Sequence, residues 1–152
     1  MSYQNSGTVG VIGAGAWGTA LAVSAVRAGR SVTLWGRDHA ALMAMAASGE
    51  NAAYLPGVRL QAMPHVTADL AQVMDNQIIL LVIPAQEIRA LAPLLALHLR
   101  PKQILVLCAK GIERGSNMLM SEMAQETMPQ ARLAVLSGPT FAREVAMGLP
   151  TA

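Results

Sequence analysis

The sequence predicts an α/β fold, a mostly parallel sheet with helices on both faces. Three observations carry that expectation. Short β-rich apolar runs alternate along the whole chain with Ala- and Leu-rich stretches of helical spacing. Parallel strands need crossover connections, so this alternation places helices on both faces of one sheet. The length of 152 residues suits one domain, and a hydrophobic share of 53% supplies enough core for it. Finally, a glycine cluster, "VGVIGAGAWG", stands where the first apolar run passes into the first helical stretch.

"TVGVIG" reads as the first strand, up to Ile12, and Gly18 to Ala28 as a helix that Gly29 closes. "SVTLW" is the second strand. "DHAALMAMAAS" is a helix with Asp38 as its N-cap. The loop "GENAAYLPGVRLQAMPH" follows, with room for a short extra strand between Gly57 and His65. Thr67 is placed as the cap of the helix "ADLAQVM". "QIILLVI" is the third main strand, closed by Pro84. Gln86 to Leu97 is mostly helical, and Pro93 predicts a kink or an early break there. "QILVLCA" is the fourth main strand. Ser116 is expected to cap a helix reaching Thr127, "RLAVLSG" to form the fifth strand, and "PTFAREVAMG" to begin a helix that Gly148 ends. Met43, Met45, Met118, Met120 and Met123 fall on helical stretches and read as core and interface filler.

Composition narrows the function. There are 11 basic and 9 acidic residues, scattered, and aromatics make up only 3%. That argues against a basic, aromatic-rich groove for nucleic acid. No apolar segment approaches the roughly 20 residues of a membrane span. "MSYQNSG" lacks a basic region followed by an apolar run, so it does not read as a signal peptide. Cys108 is the single cysteine, which precludes an internal disulfide and fits a reducing compartment. A cytoplasmic setting is therefore expected. His39, His65 and His98 stand far apart without paired ligand spacing, so no metal site is expected. Cys108 itself reads as buried filler in a strand. "GLPTA" stops without a polar tail or a finished helix, which predicts a further segment.

Gly13, Gly15 and Gly18 have G-x-G-x-x-G spacing between a strand and a helix, the context that gives the motif meaning. Gly13 permits the tight turn, Gly15 lets backbone approach a pyrophosphate, and Gly18 lets helix and strand pack closely. The helix N-terminus favours the diphosphate charge. The expectation is a Rossmann-type dinucleotide-binding fold, with a purely structural glycine turn as the competing reading. An acid that takes the adenosine ribose of NAD would lie about 20 positions on. Gly36 stands there, eighteen after Gly18, and Arg37 follows. A guanidinium meets a 2′-phosphate in forked geometry, which favours NADP(H). NAD(H) remains open through Asp38, although a cap is the preferred role for that residue. Trp17 is expected to be partly exposed over the cofactor or cleft, and Trp35 to pack on the sheet edge or near the adenine.

Several residues carry two readings. Lys110, after "ILVLCA", either marks where a buried strand reaches water or holds a charge over the crevice. Pro84 and Ala85, in "VIPAQ", line the nicotinamide ribose or merely stop a strand. Thr140 donates to a ligand or caps the last helix, and Gly138 admits a ligand or only turns the chain. Asn51 and Tyr54 border the cleft or pin their loop, while Arg143 and Glu144 read as a solvated helix face.

Together "GAGAWGTALA", "LWGRD", "NAAYLPG", "VIPAQ", "AKGIE" and "LSGPTFAREVAMGLPTA" closely resemble bacterial NAD(P)-dependent glycerol-3-phosphate dehydrogenase over residues 8 to 152. The last motif is the specific one. The resemblance implies hydride transfer between sn-glycerol 3-phosphate and dihydroxyacetone phosphate, a supply of phospholipid backbone, and a cytoplasmic homodimer as the full-length protein. It also implies that Lys110 contacts both substrate and nicotinamide regions and that Gly138 and Thr140 contact substrate. Ala16, Trp17, Arg37 and Ala142 would contact cofactor. Position 16 is Ala where many relatives have Ser, which removes one hydroxyl contact. Position 37 is Arg where some have His. The family continues into a helical C-terminal domain with a second catalytic lysine, so residues 1–152 are expected to be the N-terminal NAD(P)-binding domain, inactive alone. Two alternatives are another Rossmann dehydrogenase for a different hydroxy compound and a non-catalytic dinucleotide sensor.

Overall fold

A computed structural model describes residues 7–151. "MSYQNS" and Ala152, ends of two stretches considered above, lie outside the described residues. Six strands alternate with helices: β1 (Val9–Ile12), α1 (Ala16–Arg27), β2 (Val32–Trp35), α2 (His39–Ser48), β3 (His65–Thr67), α3 (Leu70–Met74) and β4 (Ile78–Leu81). A 3-10 turn at Ala85–Glu87 leads into α4 (Ile88–His98), followed by β5 (Ile104–Leu107), α5 (Met120–Thr127), β6 (Arg132–Val135) and α6 (Ala142–Met147). The sheet order is β3-β2-β1-β4-β5-β6, with every pair parallel. The chain reverses its direction of travel between β1 and β4, and open sheets of this order bind ligands in the crevice at that switch point.

Alternation along β1 divides the core into two layers. Val9 and Val11 face one side, with Val23 of α1, Leu34 of β2, Leu42 and Met45 of α2 and Ala146 of α6. Ile12 faces the other, with Ile79, Leu81, Leu105 and Leu107 of β4 and β5, and with Ile88, Leu95 and Met123 of α4 and α5. Of the methionines expected as filler, Met45, Met120 and Met123 are buried, whereas Met43 is exposed.

Helix ends follow local chemistry at several points. Asp38 caps α2, accepting from the Ala41 N–H at 3.0 Å. Gly29, with φ 77°, closes α1 through bonds from its own N–H to Val26 O and from Arg30 N–H to Ala25 O. Other expectations are corrected. α1 begins two residues early, at Ala16, because Gly15 occupies its N-cap. Thr67 ends a third pairing strand instead of capping α3. Its hydroxyl accepts from Asp69 N–H, and Asp69 is the cap, accepting from Ala71 N–H at 2.9 Å. The short extra strand is thus β3, beginning at His65 rather than ending before it, and it pairs with β2.

Ser116 does not cap α5. Its hydroxyl is drawn to Glu113, Leu119 is the N-cap, and Glu122 accepts the Leu119 N–H at 2.8 Å. Thr140 is no cap either, since Phe141 occupies that position for α6. Pro93 lies inside α4 without breaking it, held by the burial of Ile88, Ala92 and Leu95 along one stripe.

A Cβ on Gly18 would collide with the Gly13 carbonyl, which is backbone and cannot yield. Gly18→Ala is expected to destabilise the domain by about 3 kcal/mol. Gly29→Ala meets nothing within 4 Å and carries only left-handed strain, about 1 kcal/mol. Urea unfolding of both variants checks the order, and equal losses would contradict it.

Candidate functional site

Because all six strands are parallel, the loops after β1, β2, β4, β5 and β6 emerge on one rim. They carry Gly13, Arg37, Pro84, Lys110 and Gly138 respectively. Strand spacing puts the ends of β2 and β5 about 14 Å apart.

The β1–α1 turn is the centre of this rim. Gly13 has φ 118°, and a Cβ there would strike the Val82 carbonyl. Gly18 touches the Gly13 carbonyl, so helix and strand meet without a side chain between them. Gly15 differs from both, since nothing lies within 4 Å of its missing Cβ. It is the N-cap of α1 and offers no side-chain cap, and the helix has no acid in its first turn. The first N–H groups of α1, at Ala16, Trp17 and Gly18, have no intrahelical acceptor and carry the positive end of the helix dipole. An uncapped N-terminus beside open space suits an anion such as a diphosphate. The glycine that would admit the diphosphate is therefore the one position in the cluster with room.

A cleft of about 760 Å³ opens here. Gly13 and Gly15 form its floor, Trp35 to Asp38 one wall, and Val82 to Pro84 with Glu87 the other. Asn51 and Tyr54 close the side, and Asn51 also pins the turn. Its amide donates to Ala14 O at 3.0 Å and to Thr19 Oγ1 at 2.7 Å. Both roles considered for Asn51 are thus met by one buried side chain. Trp35 lines the cleft and donates its indole N–H to Ala68 O at 3.0 Å. Arg37 is 77% exposed at the mouth and pairs with Glu87 at 3.2 Å. Trp17 is partly exposed, as expected, in the first turn of α1, and it packs on the core and is not among the residues lining this cleft.

A second group gathers further along the rim. Lys110 is exposed, and its ammonium donates to Gly138 O at 2.7 Å, tying the loops after β5 and β6 together. Two donor positions of that ammonium remain for another partner. Beyond Gly111 the loop is clamped to α4. Arg89 meets Glu113 with two bonds, at 2.6 and 2.8 Å, and also reaches Glu126 at 2.7 Å. Gln86 donates to Ile112 O and accepts from Arg114 N–H, both at 2.9 Å. The bidentate Arg89 guanidinium, aided by the Ser116 hydroxyl, holds the Glu113 carboxyl down at about 2, and the two carboxylates push Arg89 above its ordinary range. Sequence reading missed Gln86, Glu87, Arg89 and Glu113, whose partners across the fold stand 24 to 50 residues away.

Thr140 is half-buried just ahead of α6, and Ala142, the first residue of α6, packs on the α1 side of the core. The Arg27 guanidinium anchors this helix by donating to the Val145 and Ala146 carbonyls. Arg143 was expected to be merely solvated, but it donates to Pro56 O at 2.9 Å. Glu144 is exposed. Burial pushes the Cys108 thiol up to about 11, which leaves it an inert neutral group at neutral pH. Among the described residues no three His, Cys, Asp or Glu side chains gather into a metal-binding group, and no helix is long and apolar enough to cross a membrane.

Residues 8–152 match the family model for the NAD-dependent glycerol-3-phosphate dehydrogenase N-terminus. The chain is 53% identical over 145 residues to glycerol-3-phosphate dehydrogenase [NAD(P)+] of Afipia carboxidovorans, covering 95% of this chain and 44% of that one. It is 54% identical over 144 residues to the protein of that name from Azorhizobium caulinodans, with the same coverage. The crystal structure of glycerol-3-phosphate dehydrogenase from Coxiella burnetii superposes with a TM-score of 0.85 at 32% identity, over 95% of this chain and 45% of that one. The chain thus spans a little under half the length of these relatives.

The Glu113 clamp has a pH signature. Its folded pKa of about 2 lies below the ordinary 4.5, so its stabilisation is complete above pH 4.5 and is lost as pH falls through 2. The stability gap between the protein and Glu113→Gln should be widest above pH 4.5 and shrink toward pH 2. Urea melts across that range measure it, and a gap independent of pH would contradict the clamp.

Proposed function

The chain belongs to the NAD-dependent glycerol-3-phosphate dehydrogenase N-terminal family, and from that premise we propose that it is the cofactor-binding part of an enzyme interconverting dihydroxyacetone phosphate and sn-glycerol 3-phosphate. The product would supply phospholipid precursors. A bound NAD(P)H supplies the hydride for that reaction. Gly13 and Gly15, with the backbone of Ala16 and Trp17, would hold its diphosphate, and Gly18 keeps that helix end in place. Arg37 would meet a 2′-phosphate, giving a preference for NADP(H). Pro84 would border the nicotinamide ribose, and the Ala142 backbone would complete the cofactor contacts.

Lys110 has the central chemical role in this reading. Hydride delivery to a ketone leaves negative charge on the carbonyl oxygen, and an ammonium at a strand tip stabilises it. The Gly138 backbone and the Thr140 hydroxyl would orient the substrate beside it. The observation that carries the proposal is the tie between Lys110 and Gly138 on the same rim as the open cradle at Gly15. Position alone leaves Lys110 either a solvated strand end or a charge over the crevice. A bond linking two loops at a ligand-binding rim supports the functional reading.

A second, helical domain is part of the proposal. The end of β6 and the start of α6 leave apolar side chains bare, with Val135 64% and Phe141 72% exposed. Such a face fits a covering domain that contributes the general acid and much of the substrate grip. The full-length protein would be a cytoplasmic homodimer.

The test combines binding with turnover. The 152-residue chain should bind NADPH more tightly than NADH in a fluorescence titration, yet show no turnover with dihydroxyacetone phosphate. Arg37→Ala should cost NADPH about tenfold in affinity, the worth of one charge-assisted contact, and spare NADH. Robust turnover by this chain would overturn the need for a second domain, and an unchanged NADPH/NADH ratio would remove the 2′-phosphate role of Arg37.

A further inference from the structure

We propose that Glu87 sets how strongly the adenosine end of the cleft prefers a 2′-phosphate to a free 2′-hydroxyl. The inference rests on the dinucleotide reading of the cleft and adds a residue to it. Arg37 follows β2 and Glu87 lies in the 3-10 turn after β4, with β1 and its glycine turn between them. Their side chains meet across the mouth, Nη2 to Oε2, at 3.2 Å. Both line the cleft. Among the described residues Arg37 has no other side-chain partner, and neither has the Glu87 carboxylate. The main chain of Glu87 is fixed, its N–H donating to Pro84 O at 2.9 Å, so the carboxylate is presented from a defined point.

A free adenosine ribose needs an acceptor for its hydroxyls, commonly an acid at the end of β2. Position 36 is glycine, and Asp38 is committed to the N-cap of α2 through the Ala41 N–H. The carboxylate left at this end of the cleft comes from the opposite wall, at Glu87. With NAD(H), Glu87 accepts a ribose hydroxyl while still paired to Arg37. With NADP(H), the 2′-phosphate takes the guanidinium, and Glu87 must give it up and stand beside a second anion. The pair is open to solvent, 77% and 45% exposed, so breaking it costs little, but the cost falls on one cofactor only. Glu87 therefore narrows a preference that Arg37 creates.

Fluorescence titration of the full chain with NADPH and NADH, at one fixed ionic strength, tests this on Glu87→Gln and Glu87→Ala. Both variants remove the charge at an exposed site. The NADPH/NADH affinity ratio should rise roughly three- to fivefold in each, the scale of an exposed ion pair. A ratio that stays constant or falls in either variant, while both cofactors still bind, overturns the role of Glu87 and leaves the cofactor reading standing. If the unmutated chain binds neither dinucleotide, both fall together.

Discussion

No side chain fits between Gly18 and the carbonyl oxygen of Gly13, and the architecture of the rim depends on that contact. It lets α1 start directly over the end of β1, at the switch point of the sheet. Gly10, whose missing Cβ would lie 2.5 Å from Val73 O, repeats the constraint on the other face. Together they bring α1 and α3 onto β1 closely enough to shut the two core layers. The Ala14 carbonyl in the turn is held by Thr19 of α1 and by Asn51, which reaches it from a loop over thirty residues away and also donates to Thr19. Within the glycine cluster, only Gly15 faces open space.

Parallel strands align the loops, but they do not set the position of each side chain. That is done by separate polar ties. Lys110 is joined to the next loop through Gly138, and the chain beyond it is held by Gln86 of the 3-10 turn and Arg89 at the start of α4. The helix behind Thr140 and Ala142 is held from α1 by Arg27, whose positive charge sits at the carbonyl end of α6. The two ends of the rim differ in kind. The Arg89–Glu113 clamp is partly buried and bidentate, whereas the Arg37–Glu87 pair is solvent-exposed. The first suits a fixed scaffold and the second a contact exchanged with ligand.

Much of this was legible in residue order because it is local. Strand–helix alternation predicted the parallel sheet, and each glycine of the cluster occupies the steric situation its place in the motif implied. Asp38, Gly29 and Gly148 end their helices as expected, since their partners lie within a turn. The errors have a common physical cause. Thr67, Ser116 and Thr140 were each credible caps, but a hydroxyl has several local options and tertiary context chooses among them. Ser116 goes to Glu113 because Arg89 has already placed that carboxylate. β3 was misplaced because three residues of "HVT" gain strand character only by pairing with β2. Glu87 and Arg89 carry no local signal in residue order, because only the fold sets them opposite Arg37 and Glu113.

In the proposed reading, the space at Gly15 serves a dinucleotide diphosphate and not folding. Gly15 has φ −73°, which any residue adopts, and nothing within 4 Å of a new Cβ. Gly15→Ala therefore separates the two. The measurement is NADPH affinity by fluorescence titration, with urea unfolding on the same samples. Unfolding free energy is expected within about 1 kcal/mol of the unmutated chain, the scale of exchanging Gly for Ala at an N-cap, and NADPH affinity is expected to fall at least tenfold. Affinity unchanged at unchanged stability would contradict it, because a methyl group would then occupy the proposed diphosphate seat without consequence.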